Sequence, residues 1–153
     1  MHAVNPSVGD AFGAKGSVTQ RTALIALAAR RLQRPVKLVA TRDQGFTIAT
    51  CRAETRHTLK PGAAANGKLT SLSHEARELT SRADTCMASA TDATARMYAC
   101  PNVSTKLKIV YADRNTPGFM RSPAEMPYMF ALESAMDELA EDRPTLPRFA
   151  DSH

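Results

Sequence analysis

The chain has 153 residues, enough for one ordinary domain with a core of its own. Its 43% hydrophobic and 23% charged content excludes a disordered chain, and no apolar run approaches the roughly 18 residues of a membrane span. The net charge of +5 comes from basic residues scattered among Asp and Glu, without Trp, which argues against a nucleic-acid-binding stripe.

The opening Met-His-Ala-Val-Asn-Pro lacks the charged and apolar regions of a secretory signal. Residues 4 to 16 read as a short extended piece entering a glycine-rich loop, Val-Gly-Asp-Ala-Phe-Gly-Ala-Lys-Gly. Its glycine spacing matches neither the P-loop nor the dinucleotide-binding pattern. A loop of this kind ahead of a helix is either an anion cradle or a tight turn. Ser17 and Gln20 have the spacing of a capping box and open an alanine-rich helix to about Gln33, with Leu24, Leu27, Ala28 and Leu32 on one face. Pro35 ends it.

Val36 to Thr41 alternates and is rich in β-formers, which predicts a strand parallel to whatever precedes the helix, and Arg42-Asp43-Gln44-Gly45 is read as its break. A short turn through Phe46 and Ile48 leads to Cys51-Arg52. Asn66-Gly67 between segments 53–60 and 68–80 predicts a hairpin with one wet face. His57 and His74 fall on its strands without metal-ligand spacing, so they are read as surface or packing histidines. Ser81 to Ala95 is small and polar, irregular with one helical turn. Cys100-Pro101-Asn102 makes a turn, and Val103 to Ala112 is a strand with Leu107, Ile109 and Tyr111 on one side.

The last predicted helix opens at Thr116-Pro-Gly-Phe-Met-Arg-Ser-Pro-Ala-Glu125. Ser122 and Glu125 have capping-box spacing, with Pro123 at the first helical position. Met129, Leu132, Met136, Leu139 and Ala140 form its apolar face. Arg121 would then stand beside the positive end of a helix, as an anion-binding or a solvated arginine. Pro127 is tolerated only if the helix starts later than Pro123. Residues 142–153 form a loose tail. The three cysteines, Cys51, Cys86 and Cys100, have no C-x-x-C spacing, so no metal site is assigned and a reducing, cytoplasmic compartment is expected. The expected architecture is one α+β unit, a small mixed sheet with helices on one face.

Four pieces taken together resemble the molybdopterin-binding subunits of the xanthine dehydrogenase and aldehyde oxidase family: the loop Val8–Gly16, Arg34-Pro-Val-Lys-Leu-Val-Ala-Thr-Arg42, Tyr98-Ala-Cys-Pro-Asn-Val103, and Phe119-Met-Arg-Ser-Pro-Ala-Glu125 continuing into Phe130-Ala-Leu-Glu-Ser-Ala-Met-Asp-Glu-Leu-Ala140. The bacterial aldehyde and isoquinoline oxidoreductases are the nearest type. The resemblance implies part of a molybdenum cofactor-binding domain over residues 1–141. It also implies a hydroxylase of aldehydes or N-heterocycles that uses water as oxygen source and passes electrons to iron–sulfur and flavin subunits. Carried over by motif, Phe12 and Gly13 would approach the cofactor, Arg121 and Ser122 would contact the pterin or the site wall, and Arg52 would orient substrate. Asp10 stands where the family has glycine. The family's subunit is several times longer. Its catalytic glutamate has no counterpart here, since Glu125 and Glu133 stand in other motif contexts, and no catalytic residue is assigned. The resemblance therefore implies an internal fragment, inactive alone, that completes its site with the remaining part of the molybdenum subunit. The alternative is a non-catalytic remnant or interaction module without cofactor. Full-length relatives also admit a periplasmic location.

Overall fold

A computed structural model describes residues 12–14, 16 and 20–142. The Ser17–Gln20 capping box, Asp10, the extended entry to the glycine-rich loop and the tail beyond Asp142 lie outside these residues.

The hairpin has the best-specified turn of the chain. Strand β1 (Thr55–Ala63) pairs antiparallel with β2 (Leu69–Ser81). Between them Gly67 takes the left-handed φ of 83° that the Asn-Gly turn requires, and its N–H donates to the Ala64 carbonyl at 3.0 Å. Pro61, which has no N–H for a ladder bond, sits on β1, an edge strand. From β2 the chain crosses over through helix α3 (Thr91–Met97) to β3 (Val103–Ala112), which pairs parallel to β2. The sheet is therefore mixed, in the order β1-β2-β3.

Helix α4 (Glu125–Asp142) and α3 cover one face of this sheet. Their core is small: Ala76 of β2, Ala90, Ala124 and Tyr128 form the central cluster, with Leu107 and Met129 packed against it. Leu72, Leu132 and Ala140 are buried nearby, each large side chain contributing about 2 kcal/mol through burial. The expected α+β sheet with helices on one face is the observed architecture. So are the hairpin, the β3 strand and the long last helix.

Three local readings need correction. Val36–Thr41 forms no strand and pairs with none of the three strands among the described residues. The stretch read as its break is helix α2 (Arg42–Ile48), opened by a capping box in which Thr41 Oγ1 accepts from the Gln44 N–H and Gln44 Oε1 accepts from the Thr41 N–H. Finally, α4 starts at Glu125 rather than Pro123. Ser122 takes a left-handed φ of 49° and is not its cap. Pro127 then falls in the first turn, where its missing N–H has no intrahelical acceptor to lose. The Ser81–Ala95 region is, as expected, largely irregular, with one helical turn where α3 begins at Thr91.

Helix α1 (Gln20–Leu32) is present as expected, but none of its residues is buried. Its apolar face, including Leu24 and Leu27, is open to solvent, as are Phe46 on α2 and Phe130 on α4.

Candidate functional site

Three loops meet at the start of α4: Phe12–Gly13, Thr50–Arg52 and Pro117–Ala124. Glycine makes the closest approaches possible. Gly13 has φ 96°, and a Cβ there would stand 2.5 Å from the Phe119 carbonyl oxygen and 2.9 Å from Met120 Cα. Both neighbours are backbone, so no side chain could swing aside. The Arg121 N–H donates to the Phe12 carbonyl at 2.7 Å, and the Gly118 N–H to the Cys51 carbonyl at 3.0 Å.

Arg52 holds the third side. Its Nη1 donates to the carbonyls of Ser122 (2.8 Å) and Pro123 (3.1 Å), and its Nη2 donates to the carbonyl of Arg121. One guanidinium thus gathers three successive carbonyls. This explains why α4 starts late, because those carbonyls are turned toward Arg52 instead of lying along a helix axis. To orient a substrate, as the resemblance implies, Arg52 would have to release them.

The side chains left facing outward are Phe12, 56% exposed, Arg121 and Ser122. An open groove of about 580 Å³ is lined by Arg52, Arg121, Ser122, Glu125, Met126 and Met129. Its one carboxylate, Glu125, accepts the Ala124 N–H at 3.3 Å. A larger cleft of about 830 Å³ lies between α1 and α2 and reaches the same loops at Ala14, Thr50 and Cys51. The structure brings Phe12, Gly13, Arg52, Arg121 and Ser122 into one place.

The foundation beneath them is a buried polar set that sequence reasoning missed. The Tyr128 hydroxyl donates to Glu78 Oε1 at 2.8 Å, and the Ala88 N–H donates to Glu78 Oε2 at 3.1 Å. Burial, and then the Glu78 carboxylate beside it, push the Tyr128 phenol well above its ordinary range. Next to this pair, His57 Nδ1 lies 2.9 Å from His74 Nε2, and His74 Nδ1 lies 2.8 Å from Thr94 Oγ1. The His57 ring meets Tyr128 edge-on at 4.7 Å. Burial lowers both imidazoles, His74 to about 4 with the neighbouring His57 adding to the effect. The histidines are packing residues. Among the described residues, no group of three or more His, Cys, Asp or Glu is placed to hold a metal ion. A signal for Tyr128 was in the sequence: Ala124, Tyr128 and Leu132 share the i, i+4 stripe that is buried.

The comparison with known proteins decides the family. The profile of the molybdopterin cofactor-binding domain matches residues 1–145. The chain belongs to that family. Within it, the aldehyde oxidoreductase molybdenum-binding subunit PaoC of Escherichia coli K12 is 36% identical over 138 residues, which is 90% of this chain and 19% of that protein. The chain thus spans a small part of the length of the curated relatives it matches. Two solved structures share the fold. Quinoline 2-oxidoreductase from Pseudomonas putida 86 superposes with a TM-score of 0.83 at 23% identity, covering 95% of this chain and 19% of that one. CO dehydrogenase from Oligotropha carboxidovorans gives 0.81 at 20% identity, with the same coverage. In this molybdopterin-binding family member the loops at Phe12 and Arg121 are joined by a backbone hydrogen bond. No helix among the described residues is long and apolar enough to cross a membrane.

Proposed function

We propose that residues 1–141 are a partial molybdopterin-binding domain, one wall of a site in an oxidoreductase that hydroxylates aldehydes or N-heterocycles with water as oxygen source. The observation that carries this reading is the junction of Phe12–Gly13 with Arg121–Ser122, 2.7 Å between the Arg121 nitrogen and the Phe12 oxygen, in a chain of this family. The donor set suits a phosphate-bearing pterin. It offers a guanidinium and a hydroxyl, and the single carboxylate of the groove is turned back onto its own backbone. When bound, the molybdenum cofactor supplies the redox centre.

This chain's residues bind and position. Arg121 offsets anionic charge, Phe12 offers an apolar edge, Gly13 lets the two loops touch, and Arg52 fixes the backbone that carries Arg121 and Ser122. The rest of the site, including the acid–base group, comes from the remaining part of the molybdenum subunit, and iron–sulfur and flavin subunits take the electrons. The free thiols of Cys51, Cys86 and Cys100 suit the cytoplasm.

The exposed apolar side chains Leu24, Leu27 and Phe130 favour one further reading, an interaction module that pairs with such polypeptide without holding cofactor. One experiment separates the two. The chain is co-expressed with the portion of E. coli PaoC outside the matched 138 residues, and the purified material is analysed for molybdenum and pterin. The proposal expects molybdenum in the complex, none in the isolated chain, and a loss of occupancy in the complex with Arg121→Ala. A complex that forms but stays free of molybdenum and pterin selects the interaction module. Aldehyde turnover by the isolated chain overturns both.

A further inference from the structure

The open face of the sheet, turned away from α3 and α4, carries a charge pattern that the candidate site does not use. The register sets Arg56 of β1 opposite Arg77 of β2, and Arg77 beside Lys108 of β3. Three cations therefore stand in one row across three adjacent strands. The next row is Thr58, Glu75 and Lys106, and the one after it Lys60, Ser73 and Ser104. At the other end, the Leu79 N–H donates to the Glu54 carbonyl at 3.0 Å, with Val110 paired beside Leu79.

Like charges directly opposite one another destabilise a sheet, so this row is a cost to the isolated fold. The carboxylates of the face, Glu75 and Glu54, offset only part of it because each is already shared. Glu75 Oε1 lies 2.9 Å from Lys108 and 3.3 Å from Arg77. Glu54 takes Arg114 at 3.4 Å and Arg56 at 3.8 Å. Five cations stand on the face against these two carboxylates. They are open to solvent, with the Arg56 side chain 82% exposed and that of Arg77 56% exposed.

We infer that this face docks a separate protein through an acidic patch on that protein. The argument is charge complementarity together with the kind of interface the face would make. It has no aromatic side chain on which unpaired bases could stack. Its apolar members, Leu79 and Val110, lie side by side next to the cationic row, as a small interface core lies beside a polar rim. A permanent interface is apolar, and most of the large exposed apolar side chains, Leu24, Leu27 and Phe130 among them, lie elsewhere. A charged face suits a partner that associates and leaves, because surface cations speed encounter and salt weakens it.

The test uses the 153-residue chain and a short poly-L-glutamate peptide as probe, with binding followed by fluorescence anisotropy at low and at physiological salt. Arg56→Gln with Lys106→Gln removes two cations from the face. Arg30→Gln with Arg31→Gln removes two from α1 and leaves the face intact. The expected result is binding that weakens about tenfold in the face variant and little in the α1 variant, consistent with the loss of two partly screened charge contacts. Equal losses in the two variants overturn the inference, since the probe would then be reading net charge. Tighter, face-dependent binding of an oligonucleotide or of phosphatidylserine vesicles overturns it as well. Both variants change exposed residues, and unaltered circular dichroism and Tm confirm that any loss is local.

Discussion

Removing the Arg52 guanidinium should free the loop that carries Arg121 and Ser122 without unfolding the domain. Arg52 donates to three consecutive carbonyls, at 2.8 Å and 3.1 Å for Ser122 and Pro123 and on Nη2 for Arg121. A hydrogen bond from a charged donor contributes about 1.5–3 kcal/mol, but the bonds of one partly solvated group do not add. Water can also satisfy the released carbonyls, so the clamp as a whole contributes about 2 kcal/mol. That corresponds to a roughly 30-fold shift toward the open loop.

Native-state hydrogen exchange on the isolated chain reads this directly. The Arg121 amide, bonded to the Phe12 carbonyl at 2.7 Å, should exchange about 30-fold faster in Arg52→Ala. The Ala76 amide, in the middle strand of the sheet, should change little. Arg52→Lys should recover only part of the protection, because an ammonium cannot span three carbonyls as a planar fork does. Added ethylguanidinium should restore protection to Arg52→Ala in a saturable way. An unchanged Arg121 amide, or a uniform rise across the sheet, would show that the guanidinium does not hold the loop.

Three further outcomes follow from the packing. The His74 imidazole titrates at about 4 in the folded chain against 6.5 when unfolded, so only the unfolded state takes up that proton between these values. Its contribution, about 3 kcal/mol, is fully present above pH 6.5 and is lost as the pH falls toward 4, which urea melts across that window would measure. His57, lowered in the same direction by burial, should steepen the decline, and a flat profile would refute the buried neutral pair. Tyr128→Phe leaves Glu78 Oε1 without its 2.8 Å donor inside the core and should cost about 1–3 kcal/mol in denaturant midpoint. Gly13→Ala puts a Cβ against the Phe119 carbonyl at a φ of 96°. The Phe12 and Arg121 loops should then separate, seen as lost protection at the Arg121 amide with Ala76 unaffected.

What could be read from the chain alone divides along physical lines. The hairpin, β3 and α4 were legible because each carries a local signal that tertiary contacts reinforce: the Asn-Gly turn, a run of β-formers, and an apolar stripe that meets the sheet. The Val36–Thr41 strand was misread because β-propensity describes fitness for a pleated surface, and none of the three strands among the described residues pairs with it. The helix at Arg42–Ile48 had its signal in plain view, since Thr41 and Gln44 are a capping box, but the glycine at position 45 read as a breaker. The start of α4 was misplaced for a different reason. Ser122 and Glu125 satisfy the capping pattern, yet a side chain 70 residues earlier, Arg52, takes the carbonyl of Ser122 and holds the segment off the helix. No local rule contains that contact. The same holds for Glu78 and Tyr128, which are 50 residues apart and become partners only when α4 lies across β2. Site residues were found through motif, and their mutual geometry was not, because a site made of three loops is defined by contacts between distant segments. Those contacts converge on one detail: the Arg121 backbone is held on its N–H side by Phe12 and on its carbonyl side by Arg52. Arg121, an exposed cation of the groove, therefore has a fixed backbone, which is what a positioned ligand contact requires and what a merely solvated arginine would not need.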